Sequence, residues 1–130
     1  MYEALILLSE GIAPKLGNYV NEISAFYEKQ DNSDKPAIKS NDLEILIEFE
    51  GIKFIVQKNC SESVSLESSE LQEYLKLGEN SGLSKSKCRY ELKSSSDFEM
   101  TYFNDYLFIL QAAEKLGKVW LFDPNSGKLI

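Results

Sequence analysis

Histidine is absent from this 130-residue chain, and arginine and tryptophan occur once each, as Arg89 and Trp120. Without histidine there is no imidazole base, imidazole metal ligand or imidazole pH switch. Two cysteines, Cys60 and Cys88, are too few for a four-thiolate zinc site. A single arginine argues against a protein that grips phosphates or carboxylates bidentately. The chain carries no phosphate-cradling P-loop, no G-x-G-x-x-G and no G-x-S-x-G nucleophile elbow. No D-x-D-x-D-G calcium loop occurs either. The N-terminal apolar run Ala4–Leu8 spans five residues behind Glu3, too short for a membrane span and wrongly flanked for a secretion signal.

What the chain does contain is ordinary globular material with an acidic excess. Its net charge is −7 and its apolar fraction 43%. The length suits one domain over residues 1–130 with a core of its own. The negative charge is spread along the chain, which is a poor basis for nucleic-acid or anionic-membrane binding. The expected compartment is the cytoplasm, where Cys60 and Cys88 would be reduced thiols, Cys88 inert in a strand. A disulfide between them is the alternative if the protein is exported by another route.

Hydrophobic spacing predicts the elements. Ala4–Leu8 reads as a strand buried on both faces. Leu16, Tyr19, Val20, Ile23, Phe26 and Tyr27 form the stripe of a helix over about 14–30, ended by a loop over Asn32–Pro36. Leu43, Ile45, Ile47 and Phe49, then Ile52, Phe54 and Val56, alternate with polar neighbours around Gly51, the signature of a hairpin. The serine-rich stretch 60–70 reads as a loop, followed by a short helix over Leu71–Leu77. Residues 87–93 read as a half-buried strand. Ser96 with Glu99 fits a capping box for a last helix, with Thr101 an equal candidate start, and Gly117 closes it. Val119–Phe122 is a strand, Asp123–Gly127 a turn at its exit, and Lys128–Ile130 a candidate brief tail strand. This order implies an α+β fold: a mainly antiparallel sheet of about five strands with two longer helices on one face, in the ferredoxin-like neighbourhood.

Three clusters could serve recognition. Glu44, Glu48 and Glu50 fall on the outer face of the first hairpin strand, either as a patch for a basic partner or as a solvated sheet face. Three carboxylates are too costly to bury, so that face is expected to be open. Asp97, Glu99 and Asp105 lie near the last helix start, where Asp97 and Glu99 complement the helix dipole and Asp105, a turn or two inside, faces solvent. Tyr102, Phe103, Tyr106 and Phe108 cannot all face one core, and with Phe103 and Tyr106 inward, Tyr102 or Phe108 should be partly exposed.

The segment Phe103-Asn104-Asp105-Tyr106-Leu107, with Gly117–Phe122 and Asp123-Pro124-Asn125-Ser126-Gly127-Lys128 behind it, resembles the end of small α+β immunity proteins of bacterial toxin–immunity systems. The resemblance implies a cytoplasmic, acidic, non-enzymatic binder that neutralises a basic toxin by occluding its active site. Glu44, Glu48, Glu50, Tyr102 and Asp105 are then the candidate partner-binding residues. No catalytic residue, cofactor, metal, nucleic acid or membrane enters this reading, and a homodimer is compatible with it. The rival expectation is a small-ligand or regulatory sensor, recognised by a large apolar pocket with convergent polar groups.

Overall fold

A computed structural model describes residues 1–30 and 34–130. The strands are β1 (Glu3–Leu8), β2 (Ala37–Ser40), β3 (Glu44–Glu48), β4 (Lys53–Asn59), β5 (Arg89–Ser94), β6 (Val119–Asp123) and β7 (Lys128–Leu129). The helices are α1 (Leu16–Glu28), α2 (Glu62–Tyr74) and α3 (Phe103–Glu114). All seven strands join one sheet in the order β2-β3-β4-β5-β1-β6-β7. Every pairing is antiparallel. The fold is therefore α+β, with seven strands among the described residues where about five were expected.

β1 lies at the hub, between β5 and β6. Strand side chains alternate between faces, so its apolar run must meet apolar layers on both sides. Ala4, Ile6 and Leu8 point into the main core with α1 and α3. Leu7, with Leu5 packed beside it, points the other way. In the main core Tyr19 of α1 donates its hydroxyl hydrogen to the Ile109 carbonyl of α3 at 2.6 Å, which joins the two covering helices through a buried bond. Ile45 and Ile47 of β3, and Phe54 and Val56 of β4, complete this layer.

The second face is covered on one half only. α2 and two single 3-10 turns, Glu79–Ser81 and Leu83–Lys85, bring Leu71, Leu75, Leu77 and Leu83 against Leu5, Leu7, Trp120 and Phe122. This corrects the reading of 60–70 as a loop, since the helix begins at Glu62 and already ends at Tyr74. Its inward stripe runs Val64, Ser68, Leu71 and Leu75, with a buried serine where an apolar residue would normally stand. The β2–β4 half of this face is uncovered, as the carboxylates on it required.

Three further expectations are revised. Cys60 and Cys88 are joined in a disulfide with Cα atoms 4.2 Å apart, so neither is a free thiol. Spacing alone cannot indicate this pairing, because the ends of β4 and the start of β5 are neighbours only through the sheet register, where Asn59 faces Arg89. The Ser96–Glu99 capping box does not form, because α3 begins only at Phe103. Leu43, placed on the buried face by alternation, is 66% exposed, because it precedes β3 in a turn whose N–H groups bond Asn41. The predicted loop at Asn32–Pro36 has Asn32 and Ser33 outside the described residues, and beyond it the unanticipated β2 forms the sheet edge.

Loss of side-chain volume should separate the two faces of β3. Ile47→Ala should lower stability by about 2–5 kcal/mol in urea unfolding, through lost transfer energy and the cavity left behind. Leu46→Ala, one residue away on the open face, should cost less than about 1 kcal/mol. Equal losses would reverse the assignment of faces.

Candidate functional site

The uncovered face of β2–β5 is mixed in charge. Direct cross-strand partners share a face, so the register places Lys39 beside Leu46, Glu48 beside Lys53, and Lys93 between Ile55 and Glu3. Glu44 faces Gln57, which in turn faces Glu91. Glu48 pairs with Lys53 at 3.9 Å, a surface contact worth at most about 1 kcal/mol. Asn59 and Arg89 both bond Glu91. Burial alone would raise the Glu91 carboxyl, but these partners outweigh it and hold it below the usual range. Glu48 therefore sits beside Lys53 and Glu44 beside Gln57, not in a field of one sign. Glu50 has left the strand altogether and lies exposed in the β3–β4 turn.

That turn belongs to a different surface. The Gly51 N–H donates to the Tyr102 hydroxyl oxygen at 3.1 Å. A Cβ at Gly51 would meet the Tyr102 ring at 3.1 Å, so the close approach depends on glycine. The Tyr102 ring lies 5.3 Å from that of Phe49. Phe49 in turn meets Tyr27 edge-on at 5.7 Å, and the Tyr27 hydroxyl donates to Asp105 at 2.7 Å. Burial pushes the Asp105 carboxyl up, and the Tyr27 bond opposes the shift in part. Of the five sequence candidates, the structure thus brings Glu50, Tyr102 and Asp105 to one end of the molecule and leaves Glu44 and Glu48 on the sheet face. Tyr102 is a half-buried support and not an exposed anchor.

The anchors are its neighbours. Between β5 and α3 the chain makes a tight loop around Asp97. One carboxylate oxygen accepts from the Thr101 N–H at 3.1 Å, and the other from the Tyr102 N–H at 2.9 Å and the Tyr2 hydroxyl at 2.7 Å. Desolvation works against ionisation here, yet these three hydrogen bonds prevail and hold the Asp97 carboxyl below its ordinary value. The Tyr2 hydroxyl is pushed up to about 12, first by burial and then by its bond to Asp97. Tyr2 also stacks on Tyr106 at 4.6 Å, which ties the loop to the main core. Met100 adopts a left-handed φ of 57°, a conformation that side chains disfavour, and its N–H donates to the Asp97 carbonyl.

This fixed loop presents apolar side chains to solvent. Phe98 is 96% exposed and Met100 58%, while Phe103, at the start of α3, is exposed on one side. Exposed Glu99 lies within the group, and the turn carrying exposed Glu50 is bonded to its end. The arrangement provides apolar contact area with an acidic border. Phe103 was expected to point inward, but the stripe of α3 begins at Tyr106, so Phe103 stays at the border. Sequence reasoning overlooked Phe98 and Met100. The available signal was two apolar residues set in a polar, acidic stretch outside any helical or strand periodicity. Among the described residues no group of three Cys, Asp or Glu side chains is placed to hold a metal ion. No described helix is long and apolar enough to cross a membrane.

The Asp97 bonds carry a pH signature. With the folded value depressed, their contribution is present above the unfolded aspartate value of about 3.9 and is lost as pH falls through the lower folded value. The melting temperature of the native chain should exceed that of Asp97→Asn most at neutral pH, and the gap should close in acid. A gap independent of pH would remove the carboxylate from this role. No protein-family model, curated protein or solved structure matches the chain.

Proposed function

We propose that this protein is a non-enzymatic binding module of the immunity type, which neutralises a basic toxin in the cytoplasm by occluding its active site. The observation that carries the reading is Phe98, almost wholly exposed on a loop held rigid by Asp97. A phenyl ring in water forgoes about 1.5–3 kcal/mol that burial would supply. Prior ordering of the loop lowers the entropic cost of docking. Aromatic anchors within an acidic border suit an apolar pocket rimmed by lysine and arginine. The net charge of −7 favours rapid encounter with such a partner.

The test is binding to the purified product of the adjoining gene in the genome that encodes the chain. The native chain should bind below micromolar concentration and suppress the toxin's activity. Phe98→Ala should weaken binding by about 30-fold, the effect of losing a hot spot of about 2 kcal/mol, with the melting temperature unchanged. Glu50→Lys should slow association and flatten its salt dependence, and Glu44→Lys, with the same change of net charge but away from this surface, should do so less. Absence of binding at micromolar concentration would refute the immunity reading. Binding indifferent to Phe98 would refute this surface.

A further inference from the structure

The Cys60–Cys88 bond closes a 28-residue excursion that contains the entire cover of the second sheet face. The cover is bonded within itself. Gln72 of α2 accepts hydrogen bonds from the Ser84 N–H at 2.8 Å and the Ser81 hydroxyl at 3.0 Å, so the helix and the 3-10 turns form one unit. Its attachment to the sheet is thin. Among the described residues the apolar side chains buried in that layer are Leu7, Val64, Leu83 and Phe122, and the one ion pair across it joins Glu67 to Arg89.

We propose that Cys60–Cys88 is a thiol–disulfide exchange site that accepts a dithiol reductant, and that its reduction unlatches this cover. Cys60 is exposed and lies immediately before Ser61, the N-cap of α2. Cys88 lines a cleft of about 410 Å³ whose charged walls are Lys85, Lys87 and Glu10. A thiolate of the reductant attacks the Cys60 sulfur. The protein S–S bond breaks, and its electron pair leaves on the Cys88 sulfur. Lys85 and Lys87 outnumber Glu10 in the cleft that Cys88 lines, a positive balance that favours the departing thiolate, and a better-stabilised thiolate leaves faster. Arg89 adds little, because Glu67 and Glu91 already neutralise it. The second thiol of the reductant then attacks the reductant's own sulfur in the mixed disulfide. This expels the Cys60 thiolate beside the positive end of α2. The protein gains two electrons and two protons, and the reductant becomes a disulfide. With the bond open, the Leu5, Leu7, Trp120 and Phe122 surface is held under the cover by side-chain packing and the Glu67–Arg89 pair. On the cytoplasmic reading proposed above, a disulfide is commonly of this transient, redox-responsive kind.

Trp120, the only tryptophan, sits under the cover and reports its position by fluorescence. The folded protein is treated with millimolar dithiothreitol under native conditions, and thiol content, Trp120 emission and amide hydrogen exchange are followed together. Reduction should run at least an order of magnitude faster than exchange of the core amides of β1. Trp120 emission should shift, and amides of α2 should exchange about tenfold faster or more, while α1 and α3 keep their protection. The double variant Cys60→Ser, Cys88→Ser should show the emission and exchange of the reduced protein without reductant. Lys87→Glu should slow the reduction step severalfold. Reduction only at the rate of global unfolding would overturn the exchange site. A reduced protein with unchanged emission and α2 exchange, or one that unfolds throughout, would overturn the latch.

Discussion

A strand with apolar side chains on both faces cannot sit at the edge of a sheet or under a single layer. β1 is such a strand, and the rest of the architecture answers its demand. Ile6 and Leu8 need the α1–α3 layer, and Leu5 and Leu7 need a second layer behind. The chain supplies that second layer from the connection between β4 and β5, which elsewhere could have been a tight turn. The α2 cover, its disulfide and the three-layered half of the molecule all follow from the requirement to keep Leu5 and Leu7 out of water.

The other end obeys a different rule. Tyr27, Tyr102, Phe49, Phe54, Tyr2 and Tyr106 form a continuous aromatic path from the hairpin turn to the start of α3, with Phe54 joining Phe49 to Tyr2. Their hydroxyls are consumed by Asp97, Asp105, Gly51 and the Glu3 carbonyl. Aromatic rings offer large contact area with few rotatable bonds, which makes a stiff support. Exposed Phe98 and Met100 are mounted on it. The rigidity beneath and the apolar surface above are two halves of one arrangement.

Much of this was legible in the residues. The run Ala4–Leu8 announced double-sided burial, the alternation around Gly51 announced the β3–β4 hairpin, and the stripes of α1 and α3 announced the helices of the main core. α2 was hidden because Ser63, Ser65, Ser68 and Ser69 are modest helix formers, and only tertiary packing of Val64, Leu71 and Leu75 selects the helix. β2 was hidden because four residues are too few to establish a period. The candidate site was half legible. Placement at the start of the last helix pointed to Tyr102 and Asp105, but alternation could not show that Glu50 turns away from Glu44 and Glu48, or that the exposed anchors lie in the loop before α3. Those facts depend on hydrogen bonds between residues some fifty to ninety-five positions apart.

The unequal covering of the sheet creates a gradient of local stability across the molecule. At the β1–β6 half, backbone hydrogen bonds are shielded by apolar layers above and below. At the β2–β3 half they are shielded on one side only, and β2 has no neighbour beyond it among the described residues. Opening fluctuations are cheapest where the fewest apolar contacts must part. The strands should therefore part from the β2 edge inward, with the β5–β1–β6 centre the last to yield, so that thermal wear is confined to the flank farthest from the disulfide-bound cover.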